Sequence, residues 1–157
     1  MLKTAIHKIY LTLMATVVRF MPPDVFTLFA GESSSKQLAR HIANHGSRRL
    51  LIVSDKPLVD LGLITPIVEE CKGLGIECQV FDGVLPDPTF NIVDDGLEVF
   101  KSHNADAVLA IGGGSSIDTG KTIASAATNG FEPRKLAGYF KVKIPPIPLY
   151  AIPTTSG

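Results

Sequence analysis

The sequence predicts an α/β domain built on a doubly wound, mainly parallel sheet, and three observations predict it. Short, continuously apolar runs, residues 49–53 and 107–111 above all, lack the polar alternation of a sheet wetted on one face. Longer stretches between such runs carry apolar residues at helical spacing. Gly, Ser, Asp and Pro gather where each apolar run stops. Strands buried on both faces and joined by helices are the sequence form of a parallel sheet covered on two sides.

The elements follow in order. Residues 25–29 read as a first short strand, and a small polar turn over 31–35 leads into a helix containing Leu38, Ala39, Ile42 and Ala43. Residues 49–53 form the next strand, ending in Ser54, Asp55, Lys56 and Pro57. Leu58, Leu61, Ile64, Ile67 and Val68 suggest one or two helical pieces, which Gly73 and Gly75 break. A strand over 77–81 turns at Asp82 and Gly83, and the rigid loop 86–89 opens a helix holding Ile92, Val93, Leu97, Val99 and Phe100. The strand over 107–111 runs straight into Gly112, Gly113 and Gly114, with a helix beginning near Ser115. Pro145, Pro146 and Pro148 lead to a last strand over 149–152.

The first 23 residues stand apart. Their apolar run is bracketed by Lys8 and Arg19, which leaves about ten residues against the roughly 20 that span a bilayer, and Pro22-Pro23 ends it. An amphipathic helix that docks on the domain or on a partner subunit is expected there, so membrane association is not. The organisation expected is an extension over 1–23 and one α/β domain over 24–157.

Composition narrows the function classes. With 157 residues and 45% hydrophobic content, one domain burying about 70% of its unfolded surface needs no disulfide or metal staple. Fifteen basic residues balance fifteen acidic ones, so no electrostatic footprint for nucleic acid is present. Cys71 and Cys78 lack C-x-x-C spacing and are expected as reduced packing residues, which points to the cytoplasm.

In an open parallel sheet, ligands bind beyond the carboxyl ends of the strands, and that is where Asp55, Asp87, the 112–116 run, Thr154 and Thr155 fall. Gly112, Gly113 and Gly114 carry no side chain to hold an anion away from their N–H groups, and Ser115 is expected to cap a helix whose positive end favours phosphate. Two standard glycine motifs fail here. A P-loop would need Gly where Ser115 stands, five residues before Gly120-Lys121-Thr122, and G-x-G-x-x-G begun at Gly112 would place its third glycine at Ile117. The acidic partner for ribose hydroxyls is expected upstream instead, at Asp55.

Other candidates read as structural. His41 and His45 have i, i+4 spacing but no third ligand, and a solvated helix face is expected. Asp118 and Lys121, three apart on a helix, are expected as a surface ion pair, and no residue is assigned a catalytic role.

The stretch Gly112-Gly113-Gly114-Ser115-Ser116-Ile117-Asp118-Thr119-Gly120-Lys121 resembles the GGGS-x-x-D-x-x-K signature of the iron-containing (group III) alcohol dehydrogenases. Val53-Ser54-Asp55-Lys56, Phe81-Asp82-Gly83-Val84 with the Pro-flanked 86–89 turn, and Ala151-Ile152-Pro153-Thr154-Thr155 resemble further pieces of that family in the same order. The resemblance covers about residues 25–157 and implies a Rossmann-like cofactor domain. It implies that Asp55 binds the adenosine ribose, Gly112, Gly113, Gly114, Ser115 and Ser116 the pyrophosphate, and Thr154 and Thr155 the phosphate or nicotinamide side. Asp87 stands where many members have Asn, a cofactor contact, and the early G-x-G turn is reduced to Gly31-Glu32-Ser33. A carboxylate at Asp55 would repel a 2′-phosphate, which favours NAD over NADP.

The resemblance further implies a helical domain beyond Gly157 that holds a divalent metal, iron or zinc, and hydride transfer between an alcohol or aldehyde and NAD. The 157-residue chain alone is expected to bind nucleotide and to be inactive. Three alternatives stay open: a stand-alone nucleotide-binding or subunit-interaction module, a polyol dehydrogenase, and a dehydroquinate synthase-like domain. Assembly into a homo-oligomer is also left open.

Overall fold

The computed structural model describes residues 26–138 and 140–155, together with Thr12. The amphipathic helix expected over 1–23 therefore lies, Thr12 apart, outside the described residues. The elements are α1 (Ser34–Asn44), β1 (Arg49–Val53), α2 (Lys56–Asp60), α3 (Thr65–Gly73), β2 (Glu77–Phe81), α4 (Phe90–Ser102), β3 (Ala107–Gly112), α5 (Gly114–Thr128), a 3-10 turn (Pro133–Leu136) and β4 (Leu149–Pro153).

The four strands form one sheet in the order β2-β1-β3-β4, with every neighbouring pair parallel. Val53 stands opposite Phe81 on one side and Ala110 on the other, and Gly112 stands opposite Pro153. Because side chains alternate along a strand, β1 and β3 feed two cores. Leu50, Ile52, Leu109 and Ile111 pack with Ile42 of α1 and Ile67 of α3. Leu51, Val53 and Val108 pack with Val93 and Leu97 of α4 and Ile123 of α5. Each such side chain, removed from water, contributes about 1.5–3 kcal/mol. The helices thus cover both faces, as the unbroken apolar runs require.

Two polar ties set the strand ends. At the amino end, the Asp106 carboxylate accepts from Arg48 N at 2.9 Å and from Arg49 N at 3.2 Å. At the carboxyl end, the fully buried Ser54 donates its hydroxyl to Ile111 O at 2.8 Å, while its backbone N–H donates to Phe81 O at 2.9 Å. Ser54 therefore links β1 to both neighbours where the sheet meets the loops. Ser54→Ala leaves the Ile111 carbonyl without this donor and is expected to cost about 1–3 kcal/mol. A urea titration checks it: the midpoint should fall with an unchanged slope.

Helix α5 lies unusually close to the sheet. A Cβ built on Gly120 would sit 2.9 Å from Ala110 Cβ and 3.5 Å from Val108 Cγ1. Glycine facing alanine lets the helix backbone settle onto β3.

One expected element does not form. Residues 26–30 have no regular secondary structure, so the strand expected over 25–29 is absent across its described part. Phe26 and Leu28 are 80% and 76% exposed, whereas Phe29 packs against the first core and meets His41 edge-on at 5.3 Å. A single anchored ring holds this segment, and no strand of the sheet pairs with it among the described residues.

Candidate functional site

From β1 the chain leaves through α2 and α3 to β2 at one edge, then crosses β1 through α4 to reach β3. Strands β1 and β3 are adjacent, and their onward connections depart in opposite directions. Their carboxyl ends therefore frame a topological switch point, where the loops part and leave a crevice.

Asp55 stands at the β1 lip of that crevice. It caps α2, its Oδ1 accepting from Leu58 N at 3.0 Å, and its backbone bridges to Gly83 after β2. The other carboxylate oxygen, Oδ2, faces β3: a Cβ on Gly112 would lie 3.4 Å from it. Gly112 itself has φ +146°, a conformation side-chain-bearing residues rarely adopt, and its Cβ would also strike Ser116 Oγ at 2.5 Å.

The glycine turn continues directly into α5. Gly113 is the N-cap, in extended conformation with no side-chain cap bond, and the helix starts at Gly114. The expectation that Ser115 caps the helix is thus corrected. The turn at Gly112 admits the chain to the helix early, which places Ser115 inside the first turn. The first intrahelical bond runs from Ile117 N to Gly113 O at 3.1 Å, so the preceding N–H groups carry the helix's partial positive charge toward the crevice. Among the described residues, no heavy atom beyond its chain neighbours and its own helix backbone lies within 4 Å of a Cβ position on Gly114.

On the far side of the turn, Thr154 N donates to Gly112 O at 3.0 Å, and Thr155 lies 3.5 Å from a Cβ position on Gly113. Asp55, the three glycines and Thr154-Thr155 therefore come together as the strand-end reading requires. Ser116 is 1% exposed, and its hydroxyl lies against Gly112 at the base of the turn.

Asp87, with a left-handed φ of 52°, lines an open groove of about 640 Å³ between the 86–89 loop and the start of α5. Asp118, Thr119 and Thr122 form the helix side of this groove. Thr119 Oγ1 is buried without a hydrogen-bond partner among the described residues. Asp118 and Lys121 pair at 3.3 Å on an exposed helix face, as their spacing implies.

His41 and His45 stack with ring centroids 3.9 Å apart, and His45 Nδ1 lies 2.8 Å from His41 O at the end of α1. Desolvation, then the charge of His45, lowers the His41 pKa from its usual value. Tyr150 of β4 meets His41 edge-on, which makes the pair part of the packing around Phe29 rather than a fully solvated face. Among the described residues no three His, Cys, Asp or Glu side chains gather to hold a metal ion, and no helix is long and apolar enough to cross a membrane.

The sequence places Ser54, Thr119 and Gly120 at strand ends or in the glycine signature but assigns them no part in holding the site. A fully apolar strand ending in Ser was the available signal for Ser54. For Gly120 it was the small residue Ala110 in the facing strand.

A Rossmann-like α/β domain with a glycine turn and an acid at its switch point is the class that fold and site define. The family model for iron-containing alcohol dehydrogenase matches residues 26–157, and the chain belongs to that family. It is 36% identical over 133 residues to the lactaldehyde reductase of Escherichia coli strain K12, covering 83% of this chain and 35% of that protein. It is 35% identical over 138 residues to the NAD-dependent methanol dehydrogenase of Bacillus methanolicus, covering 88% and 35%. The solved structure of a 1,3-propanediol oxidoreductase superposes with a TM-score of 0.75 at 34% identity, covering 80% of this chain and 33% of that one. The chain spans about a third of the length of these relatives.

Proposed function

We propose that this chain forms the NAD(H)-holding domain of a metal-dependent alcohol dehydrogenase acting on a small alcohol or aldehyde. The carrying observation is that Asp55, Gly112, Gly113, Gly114 and Thr155 converge at the carboxyl ends of β1 and β3. The turn fits a pyrophosphate: Gly114 at the start of α5 has open space at its Cβ position, and the first N–H groups of that helix have no intrahelical acceptor. Asp55 fits a ribose diol, since Oδ1 is held by the Leu58 N–H while Oδ2 faces the turn. The same carboxylate disfavours a 2′-phosphate, hence NAD rather than NADP. Thr154 and Thr155 border the turn on the nicotinamide or phosphate side.

The dinucleotide supplies the hydride acceptor or donor, and the work of these residues is to bind and orient it. The iron or zinc expected of such an enzyme has no ligand set among the described residues, so no step is assigned to a metal there. The Bacillus methanolicus relative is an NAD-dependent methanol dehydrogenase, which supports both the cofactor and the substrate class. Two free thiols, at Cys71 and Cys78, fit a reducing compartment such as the cytoplasm.

Fluorescence titration with NADH and NADPH tests the reading. Asp55→Asn keeps a good helix cap but removes the charge. It is expected to weaken NADH binding about tenfold, the scale of a lost charged hydrogen bond, and to narrow the preference over NADPH. An unaltered NADH affinity together with an unaltered preference would remove Asp55 from the site.

A further inference from the structure

Ser54 is fully buried where β1 ends, and each of its three polar groups is taken up by a different neighbour. Its N–H donates to Phe81 O at 2.9 Å, its carbonyl accepts from Val84 N at 3.3 Å in the turn after β2, and its hydroxyl donates to Ile111 O at 2.8 Å. The two backbone bonds are open to any side chain at this position. The third is not. The register of β1 with β3 stops at Val53 opposite Ala110, so Ile111 lies one residue past the ladder and a side chain holds its carbonyl.

The two lips of the crevice flank this bond. Asp55 follows Ser54 directly, and Gly112 follows Ile111 directly. Each lip is also fastened on its outer side: Asp55 Oδ1 accepts from Leu58 N at 3.0 Å, and Gly112 O accepts from Thr154 N at 3.0 Å. Among the described residues, the Ser54–Ile111 bond is the one hydrogen bond that crosses from 54–55 to 111–116.

We propose, resting on the cofactor function above, that Ser54 is a positioning residue whose hydroxyl sets the width of the crevice. It holds the Asp55 carboxylate at the distance from the Gly112 turn that lets one dinucleotide engage both, the ribose diol on Asp55 and the pyrophosphate on the turn. Ser54 itself touches neither group. Two contacts at a fixed separation bind a ligand that spans them better than their separate affinities allow, because the second contact needs no further ordering once the first is made. Adjacent strands are rotated by about 20–25° relative to one another, so past their last pair β1 and β3 diverge. Without the tie, the lip carrying Asp55 shifts against the turn, and a ligand meets one contact at the expense of the other.

Competition against NADH fluorescence in the full chain separates spacing from a loosened fold, because ADP-ribose spans both lips whereas inorganic pyrophosphate meets the turn alone. Ser54→Ala should weaken ADP-ribose about fivefold and leave pyrophosphate within about twofold. Affinities are taken per binding site from the titration stoichiometry, which compares each variant on its folded fraction. Ser54→Thr keeps the hydroxyl donor and should bind ADP-ribose within about twofold of the unsubstituted chain. Ser54→Cys, a weak donor, should fall between Thr and Ala, and carries the comparison should Ser54→Ala not fold. In an Asp55→Asn chain, adding Ser54→Ala should change ADP-ribose binding less than about twofold, since the charged contact that Ser54 positions is already gone. A loss in Asp55→Asn with unaltered affinity in Ser54→Ala would overturn the positioning role and leave the cofactor function standing. Equal losses for ADP-ribose and pyrophosphate, or full additivity in the double variant, would overturn it too. Unaltered ADP-ribose binding in Asp55→Asn would instead remove the cofactor function, and the role of Ser54 with it.

Discussion

Gly113→Asp is expected to lower NADH affinity at least about a hundredfold while leaving the chain folded, since a like charge set against a phosphate costs several kcal/mol. The separation of the two effects follows from local geometry. Gly113 has φ −80°, which any residue adopts, and a Cβ there meets only Thr155, at 3.5 and 3.6 Å, an ordinary contact. It is also the N-cap of α5, where aspartate is among the preferred residues and contributes about 1 kcal/mol to helix stability. The new carboxylate would accept the first-turn N–H groups that a pyrophosphate otherwise engages. Thermal melting should therefore show an unchanged or raised midpoint, and fluorescence titration a lost cofactor. An affinity equal to that of the unsubstituted chain would mean the glycine turn does not touch the dinucleotide.

Gly120→Val should produce the opposite pattern, a large loss of stability arising outside the crevice. The Cβ alone would stand 2.9 Å from Ala110 Cβ, with Leu149 Cδ1 at 3.7 Å, and the two methyl groups must force α5 away from β3. Overpacking of this kind costs about 1–3 kcal/mol, and the few tenths by which valine exceeds glycine in helix propensity offset little of it. For a domain of this size that corresponds to a fall in Tm of about 2–12 °C. Gly114→Ala is the control, because its Cβ position meets no described residue beyond its chain neighbours and its own helix backbone. Equal melting temperatures for Gly120→Val and Gly114→Ala would contradict the close helix–sheet contact.

How legible this was in the chain differs from residue to residue. The runs at 49–53 and 107–111 were readable because strands enclosed on both faces admit little but apolar side chains; all of Leu50, Leu51, Ile52, Val53 and Val108 are fully buried. The crevice followed from strand order, since Asp55 and Gly112 had to leave the sheet on the same end. The segment at 25–29 has the same apolar look, yet a local pattern carries no information about whether a free sheet edge exists to receive it. The cap was read at Ser115, whereas the helix starts at Gly114 directly after the turn at Gly112, whose φ is +146°. Gly120 was visible but was weighed only as a term in phosphate-loop spacings. Its contact with Ala110 performs helix-to-sheet packing at a different register.

The strand order also bears on how the chain emerges from the ribosome. β1 is central, but its two neighbours are made at very different times: β2 follows closely, whereas the Ser54–Ile111 tie to β3 joins residues 57 apart. At about 5–20 residues per second, that separation leaves one flank of β1 unsatisfied for roughly 3–11 seconds of synthesis. During this interval Leu50, Leu51, Ile52 and Val53 form a nascent apolar edge suited to capture by a chaperone. Slower translation across the β2 to β3 interval would lengthen that exposure, so codon choice there bears on yield as directly as any side chain in the finished domain.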